Sequence, residues 1–154
     1  MRLIDEVVVH CSATPADWRE DQTLEDQIAE VKRWHTDPKP KGNGWSDNGY
    51  HFMVGRDQGR IVACRPIERA GAGVRGHNKS TVHICLFGGH GSSSVDDFKE
   101  HFTYAQGEML YKFIKGLMLQ YPTIKKVSGH NEYAAKACPG FYVPLWWEEM
   151  EMLH

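Results

Sequence analysis

The sequence has no apolar run of membrane-spanning length: no segment approaches the ~20 consecutive apolar residues that cross a bilayer. Its opening, Arg2-Leu3-Ile4-Asp5-Glu6, runs straight into an apolar strand. The longer apolar stretch and small-residue cleavage site of a secretory leader are both missing. The expectation is a chain made and folded in a cytoplasm, without a membrane anchor. Positive charge is not in excess either. Eighteen Lys and Arg stand against twenty Asp and Glu, a formal net charge of -2. Proteins dedicated to nucleic acid carry a marked basic excess or stripe, so no nucleic-acid partner is expected. A local basic patch is confined to Arg65, Arg69, Arg75 and Lys79.

Cysteine is scarce and its spacing is uninformative. The four, at 11, 64, 85 and 138, form no C-x-x-C pair. In a reducing compartment disulfides are not expected, and each cysteine is either core filling or functional. Internal repeats and low-complexity linkers are also lacking. At 154 residues the chain suits one domain with one continuous core, residues 1–154, and a monomer is expected.

What is present reads as alternating strands and helices. Val7-Val8-Val9 is a β-branched run suited to a strand buried on both faces, and His10 closes it. Leu24, Ile28, Val31 and His35 recur at helical spacing, predicting a helix over roughly 22–36. Residues 50–54 and 60–64 flank Arg56-Asp57-Gln58-Gly59 and should pair as a hairpin. Residues 66–80 read as a surface loop, 81–87 as a second apolar strand, and 90–99 as another loop. Thr103 with Gln106 has the form of a capping box, opening a helix marked by Leu110, Phe113, Ile114, Leu117 and Tyr121 and ended by Pro122. A short strand over 124–128 precedes Gly129-His130, and Pro144 suits the first turn of a last helix. The whole is an α/β domain, a central, mostly mixed sheet flanked by about three helices.

Of the nine histidines, His10 and His130 stand out because each follows a strand. Open α/β sheets place their sites at such strand ends. Cys138 lies eight residues beyond His130, in a segment that must turn at Pro139-Gly140. Two imidazoles and a thiolate make a three-ligand zinc set with a fourth position left open. By spacing alone, two half-buried histidines and a core cysteine explain the same pattern better. Cys11 neighbours His10, but alternate strand residues face opposite sides, so Cys11 should turn away from any metal that His10 meets. Cys85 reads as packing within its strand.

Ordered motif blocks change that balance. Val8-Val9-His10-Cys11-Ser12-Ala13-Thr14, Gly49-Tyr50-His51-Phe52 with Arg56-Asp57, Ile84-Cys85-Leu86-Phe87-Gly88-Gly89, Gly129-His130-Asn131-Glu132 and Lys136-Ala137-Cys138-Pro139-Gly140-Phe141 with Trp146-Trp147-Glu148 cover nearly the whole chain. Together they resemble the type-2 N-acetylmuramoyl-L-alanine amidases, the family that includes the animal peptidoglycan recognition proteins, and above all its small phage members. The resemblance implies one Zn2+ held by His10, His130 and Cys138, with Tyr50 and Lys136 as catalytic side chains. It implies peptidoglycan as partner and the bond between N-acetylmuramic acid and L-alanine as target. The setting would be a phage or prophage endolysin, held in the host cytoplasm before lysis and acting on the wall in the periplasm. His35 and His51 fall in matched blocks but are read as structural.

The sequence departs from the family pattern in three places. Gly73 stands where relatives commonly carry a histidine, with His77 close by. The usual Asn-x-x-Ser-Ile-Gly reads Asn78-Lys79-Ser80-Thr81-Val82-His83. Both changes are expected to touch the substrate groove and not the metal. The N-terminus is short, whereas phage RNA polymerase binding within the family uses a longer extension, so that second partner is not assumed. Three other readings stay open: a module that binds peptidoglycan without cutting it, a thiol peptidase using Cys138 with a histidine, and a regulatory partner of a polymerase.

Overall fold

A strand of consecutive valines needs apolar cover on both faces, and β1 (Glu6–Cys11) receives it, being buried at every position. The computed structural model describes residues 2–154; Met1 lies outside them. On one side β1 pairs in parallel with β4 (Thr81–Leu86), and on the other with β5 (Lys126–Gly129). Beyond β4 lie β2 (Phe52–Val54), parallel to it, and β3 (Ile61–Ala63), antiparallel to β2. The order is β3-β2-β4-β1-β5, a mixed sheet with its single antiparallel strand at the edge. The expected hairpin is therefore present. Its turn carries Gln58 at φ 60° and Gly59 at φ 65°, inside a loop closed by the Gly55 amide donating to the Arg60 carbonyl at 2.8 Å.

Strand alternation gives the sheet two chemically different faces. Val7, Val9, Cys11, Val82, Ile84 and Leu86 point into the main core. Helix α3 (Tyr104–Gln120) covers that face with Leu110, Ile114 and Leu117, and α4 (Val143–Leu153) adds Val143, Trp146 and Met150. Each such side chain contributes ~1.5–3 kcal/mol on burial. The opposite face presents His10, His51, His83, Met53 and Cys85, all buried. Helix α1 (Leu24–Thr36) packs Val31 against the Met53–Cys85 end of it.

Side chains cap the two longer helices at their N-termini, at Thr103 as the sequence suggests. Thr23 accepts from the Asp26 amide at the start of α1. At α3 the capping box is complete: Thr103 Oγ1 accepts from the Gln106 amide, and Gln106 Oε1 accepts from the Thr103 amide. Gln106 is fully buried and also donates to the Phe87 carbonyl at 2.9 Å, tying the helix start to the end of β4. Pro144 sits in the first turn of α4. Two stretches differ from the reading of the sequence. Residues 90–99 were expected as loop, but Phe98 opens a single-turn helix, α2 (Phe98–His101), because its ring packs on Phe141 and Trp146. The loop over 66–80 is not wholly superficial, since Gly71 and Val74 are buried against the histidine face.

Candidate metal centre

The register of β1 and β5 builds the site. Val9 pairs with Gly129, so His10, still within β1, and His130, the first residue after β5, come side by side. Their ring centroids are 4.8 Å apart. Cys138 returns to them through a short folded segment. Glu132 accepts from the Gly129 amide, and Asn131 Nδ2 donates to the carbonyls of Ala137 (3.3 Å) and Phe141 (3.1 Å). The Cys11 amide donates to Cys138 Sγ at 3.2 Å. One ligand atom from each of His10, His130 and Cys138 lies within 4.8 Å of the other two. His10 Nδ1 is 3.9 Å from the sulfur. The Cys11 side chain itself faces the main core, as alternation predicted.

Burial sets the protonation of this cluster. His10 has its pKa pushed well below the ordinary histidine value by desolvation and then by the surrounding histidines. His130 is lowered by burial and by the Lys136 charge. Both rings are thus neutral, as metal ligation requires. The Cys138 thiol, paired with Cys11 and buried, is held well above the ordinary thiol range. Only a nearby cation would turn it into a thiolate.

Tyr50 and Lys136 flank the same cluster. The Tyr50 ring lies 5.1 Å from that of His10 and meets His35 edge-on at 5.3 Å. Burial raises the Tyr50 phenol well above its usual pKa, so it keeps its proton. Lys136 is exposed and lines a groove of about 660 Å³ together with Tyr50, His130, Tyr133, Trp45 and Arg75. A cavity of about 410 Å³ between Trp18 and Arg56 is lined by no histidine or cysteine among the described residues. Of the basic patch, Arg75 alone lines the 660 Å³ groove. His35 Nδ1 accepts from the Gly49 amide, and His51 bonds the Arg69 carbonyl and the His83 amide.

One expectation is overturned in part. The changes at 73 and 83 are expected to touch the substrate groove and not the metal; Gly73 does line the 660 Å³ groove, and His83 does not. Instead His83 is fully buried and its Nδ1 is 2.9 Å from His10 Nε2. The reason is register: His10 pairs with Cys85 across β1 and β4, so His83, two residues earlier, projects from the same face. A Cβ at Gly73 would lie 2.8 Å from His10 Nε2. Sequence reasoning also missed Glu6, a buried carboxylate that accepts from Ser128 and Tyr133 and sits 2.9 Å from His77 Nε2. It anchors the Tyr133 wall of the groove, and nothing in the sequence separates it from a surface acid opening a strand.

Known proteins resemble this chain in sequence and in fold. Residues 1–141 match the family described as N-acetylmuramoyl-L-alanine amidase. The endolysin of Klebsiella phage KP32 is 36% identical over 148 residues, covering 96% of this chain and 88% of its own. That of Escherichia phage T7 is 35% identical over 152 residues, 97% and 89% of the two chains. Among solved structures, the N-acetylmuramoyl-L-alanine amidase LysC from Clostridium intestinale superposes with a TM-score of 0.69 at 24% identity, covering 99% of this chain and 85% of that one. The Apis mellifera protein PGRP-SA gives 0.72 at 19%, with 98% and 83% covered. These last two likenesses establish the fold.

Proposed function

Because this chain belongs to the N-acetylmuramoyl-L-alanine amidase family, as an amidase akin to phage endolysins, we propose that it is a zinc hydrolase of the bacterial wall. Its target is the amide joining N-acetylmuramic acid to the L-alanine of the peptidoglycan stem. The observation that supports zinc is the convergence of His10, His130 and Cys138 at neighbouring strand ends. The donor set fits. Two neutral imidazoles and one sulfur are a competent three-ligand set that leaves a position for water or substrate. His10, His130 and Cys138 would hold the ion, their ligand atoms already gathered within 4.8 Å of one another. Bound there, zinc acidifies water toward neutral pH and polarises the amide carbonyl.

The chain's own groups do the rest. As water adds to the carbonyl, charge grows on the amide oxygen, and preorganised donors stabilise it. Tyr50 supplies a phenol that burial keeps protonated. Lys136 supplies an ammonium from the groove wall beside His130. The leaving amine needs a proton, and either group would deliver it. The domain acting here spans 1–154, works as a monomer, and is made in the host cytoplasm before it meets the wall in the periplasm. No helix among the described residues is long and apolar enough to cross a membrane. A thiol peptidase at Cys138 is disfavoured, because such nucleophiles are commonly activated at a helix N-terminus and Cys138 lies in the turn at Pro139-Gly140, ahead of α4.

Zinc analysis of the purified protein, beside mass spectrometry of digested peptidoglycan, tests the reading. Stoichiometric zinc and free stem peptides beginning at L-alanine are expected. New reducing sugar ends would mean a glycosidase, and activity that survives exhaustive chelation would overturn the metal.

A further inference from the structure

The mechanism above makes no use of His83, although it touches a proposed ligand. We propose that His83 is a positioning residue that, together with Thr81, fixes the ring tautomer of His10 so that Nδ1 keeps the lone pair facing Cys138 and His130. The inference rests on the zinc reading for its purpose, but its geometry stands on hydrogen bonds alone.

The chain of bonds starts from a group that can only accept. The Thr81 hydroxyl donates to the His77 carbonyl at 3.0 Å, which uses its one proton. His83 Nε2, 3.0 Å from the same hydroxyl oxygen, must therefore be the donor of that pair. A second proton on this ring would place an imidazolium out of reach of water and against two further histidines, His10 and His51. The ring is neutral, and its Nδ1 is an acceptor. His10 Nε2, 2.9 Å away, then carries the proton of the His10 ring. The other nitrogen, Nδ1, is left bare on the side of Cys138. Metal-bound histidines are oriented in general by a partner on the second nitrogen. A neutral imidazole serves as that partner here only because a carbonyl two bonds further back settles which way each proton points.

Packing holds the relay in place. The His83 ring stacks on His51 with an interplanar angle of 6° at 5.9 Å. Its amide donates to His51 Nδ1 at 3.0 Å. A Cβ at position 73 would lie 2.4 Å from His83 Nδ1, so only glycine at 73 leaves room for the ring. Gly73 and His83, two separate departures in the sequence, are one steric unit.

Nitrogen NMR of the imidazoles in the metal-free protein, with zinc competition against a chelator, tests this. The wild-type chain should show His10 protonated at Nε2. In Thr81→Val, which keeps shape and strand propensity but removes the hydroxyl, part of the His10 proton should move to Nδ1. In His83→Leu, zinc affinity should fall ~10–100-fold, the usual effect of losing an orienting partner. His83→Asn, which can keep an acceptor near the Nδ1 position, should recover most of it. Should His83→Leu not fold, Thr81→Val carries the test. A His10 tautomer unchanged in folded Thr81→Val and His83→Leu overturns the relay whatever the metal content. A wild-type protein with the expected tautomers that takes up no zinc would leave the relay standing and remove the metal reading.

Discussion

The two faces of the sheet come from the same strands and answer to different demands. Toward α3 and α4, β1 and β4 present Val7, Val9, Cys11, Val82, Ile84 and Leu86, a closed apolar layer. Toward the groove the same strands present His10, His83 and Cys85, also buried. There both ring nitrogens of His83 and its amide are matched by another ring or a hydroxyl, and His10 Nε2 by the His83 ring. Burial stabilises the first face by removing apolar surface from water. On the second face burial keeps histidines neutral and their tautomers defined. One face therefore holds the fold, while the other orders the residues proposed as ligands.

If that division is right, substitutions on each face should fail in different ways. The largest effect is expected from Cys138→Ser, which removes the sulfur ligand. Wall digestion should vanish and zinc should be lost on dialysis, with the circular dichroism spectrum unchanged. Lys136→Ala comes next. It should keep zinc yet lose ~100–1,000-fold in turnover, the usual cost of one transition-state donor. Turbidity clearance assays and metal analysis on the same sample separate the two. On the closed face, Ile114→Ala should destabilise by ~2–5 kcal/mol in urea unfolding, while activity per folded molecule and zinc content stay at wild-type values. A change in zinc affinity there would break the comparison.

The smallest effect is one of pH. His51 is lowered to about 4, chiefly by burial, against an ordinary value near 6.5. Between those values the unfolded chain binds a proton that the folded chain refuses. The contribution of His51 to stability is therefore fully present above pH ~6.5 and is lost as the pH falls toward about 4, by up to ~1.4 kcal/mol per unit for this one group. Urea midpoints of the metal-free protein at pH 7 and pH 5 should differ in that direction. A higher midpoint at pH 5 would contradict it.

Local chemistry made much of this readable. The Thr103–Gln106 capping box, the Gln58-Gly59 turn, the Val7–Val9 strand and Pro144 in a first turn all depend on neighbours within a few residues. The metal set was weaker: spacing could not separate His10, His130 and Cys138 from three core residues, and ordered family motifs were needed to raise it. Phe98 was missed because its helical turn depends on Phe141 and Trp146, more than forty residues away.

Taken by itself, the sequence determined the alternation of strands and helices, and through strand periodicity it also determined that His10 and Cys11 face opposite ways. These outcomes follow from spacing along one segment. Only the tertiary structure decided that His83 stands behind His10, that Gly73 makes its room, and that Asn131 brings Cys138 back to His130. Those relations depend on the register between β1 and β4 and on a loop closed over several residues. Register is set by the whole buried face at once, and no single stretch of sequence carries it.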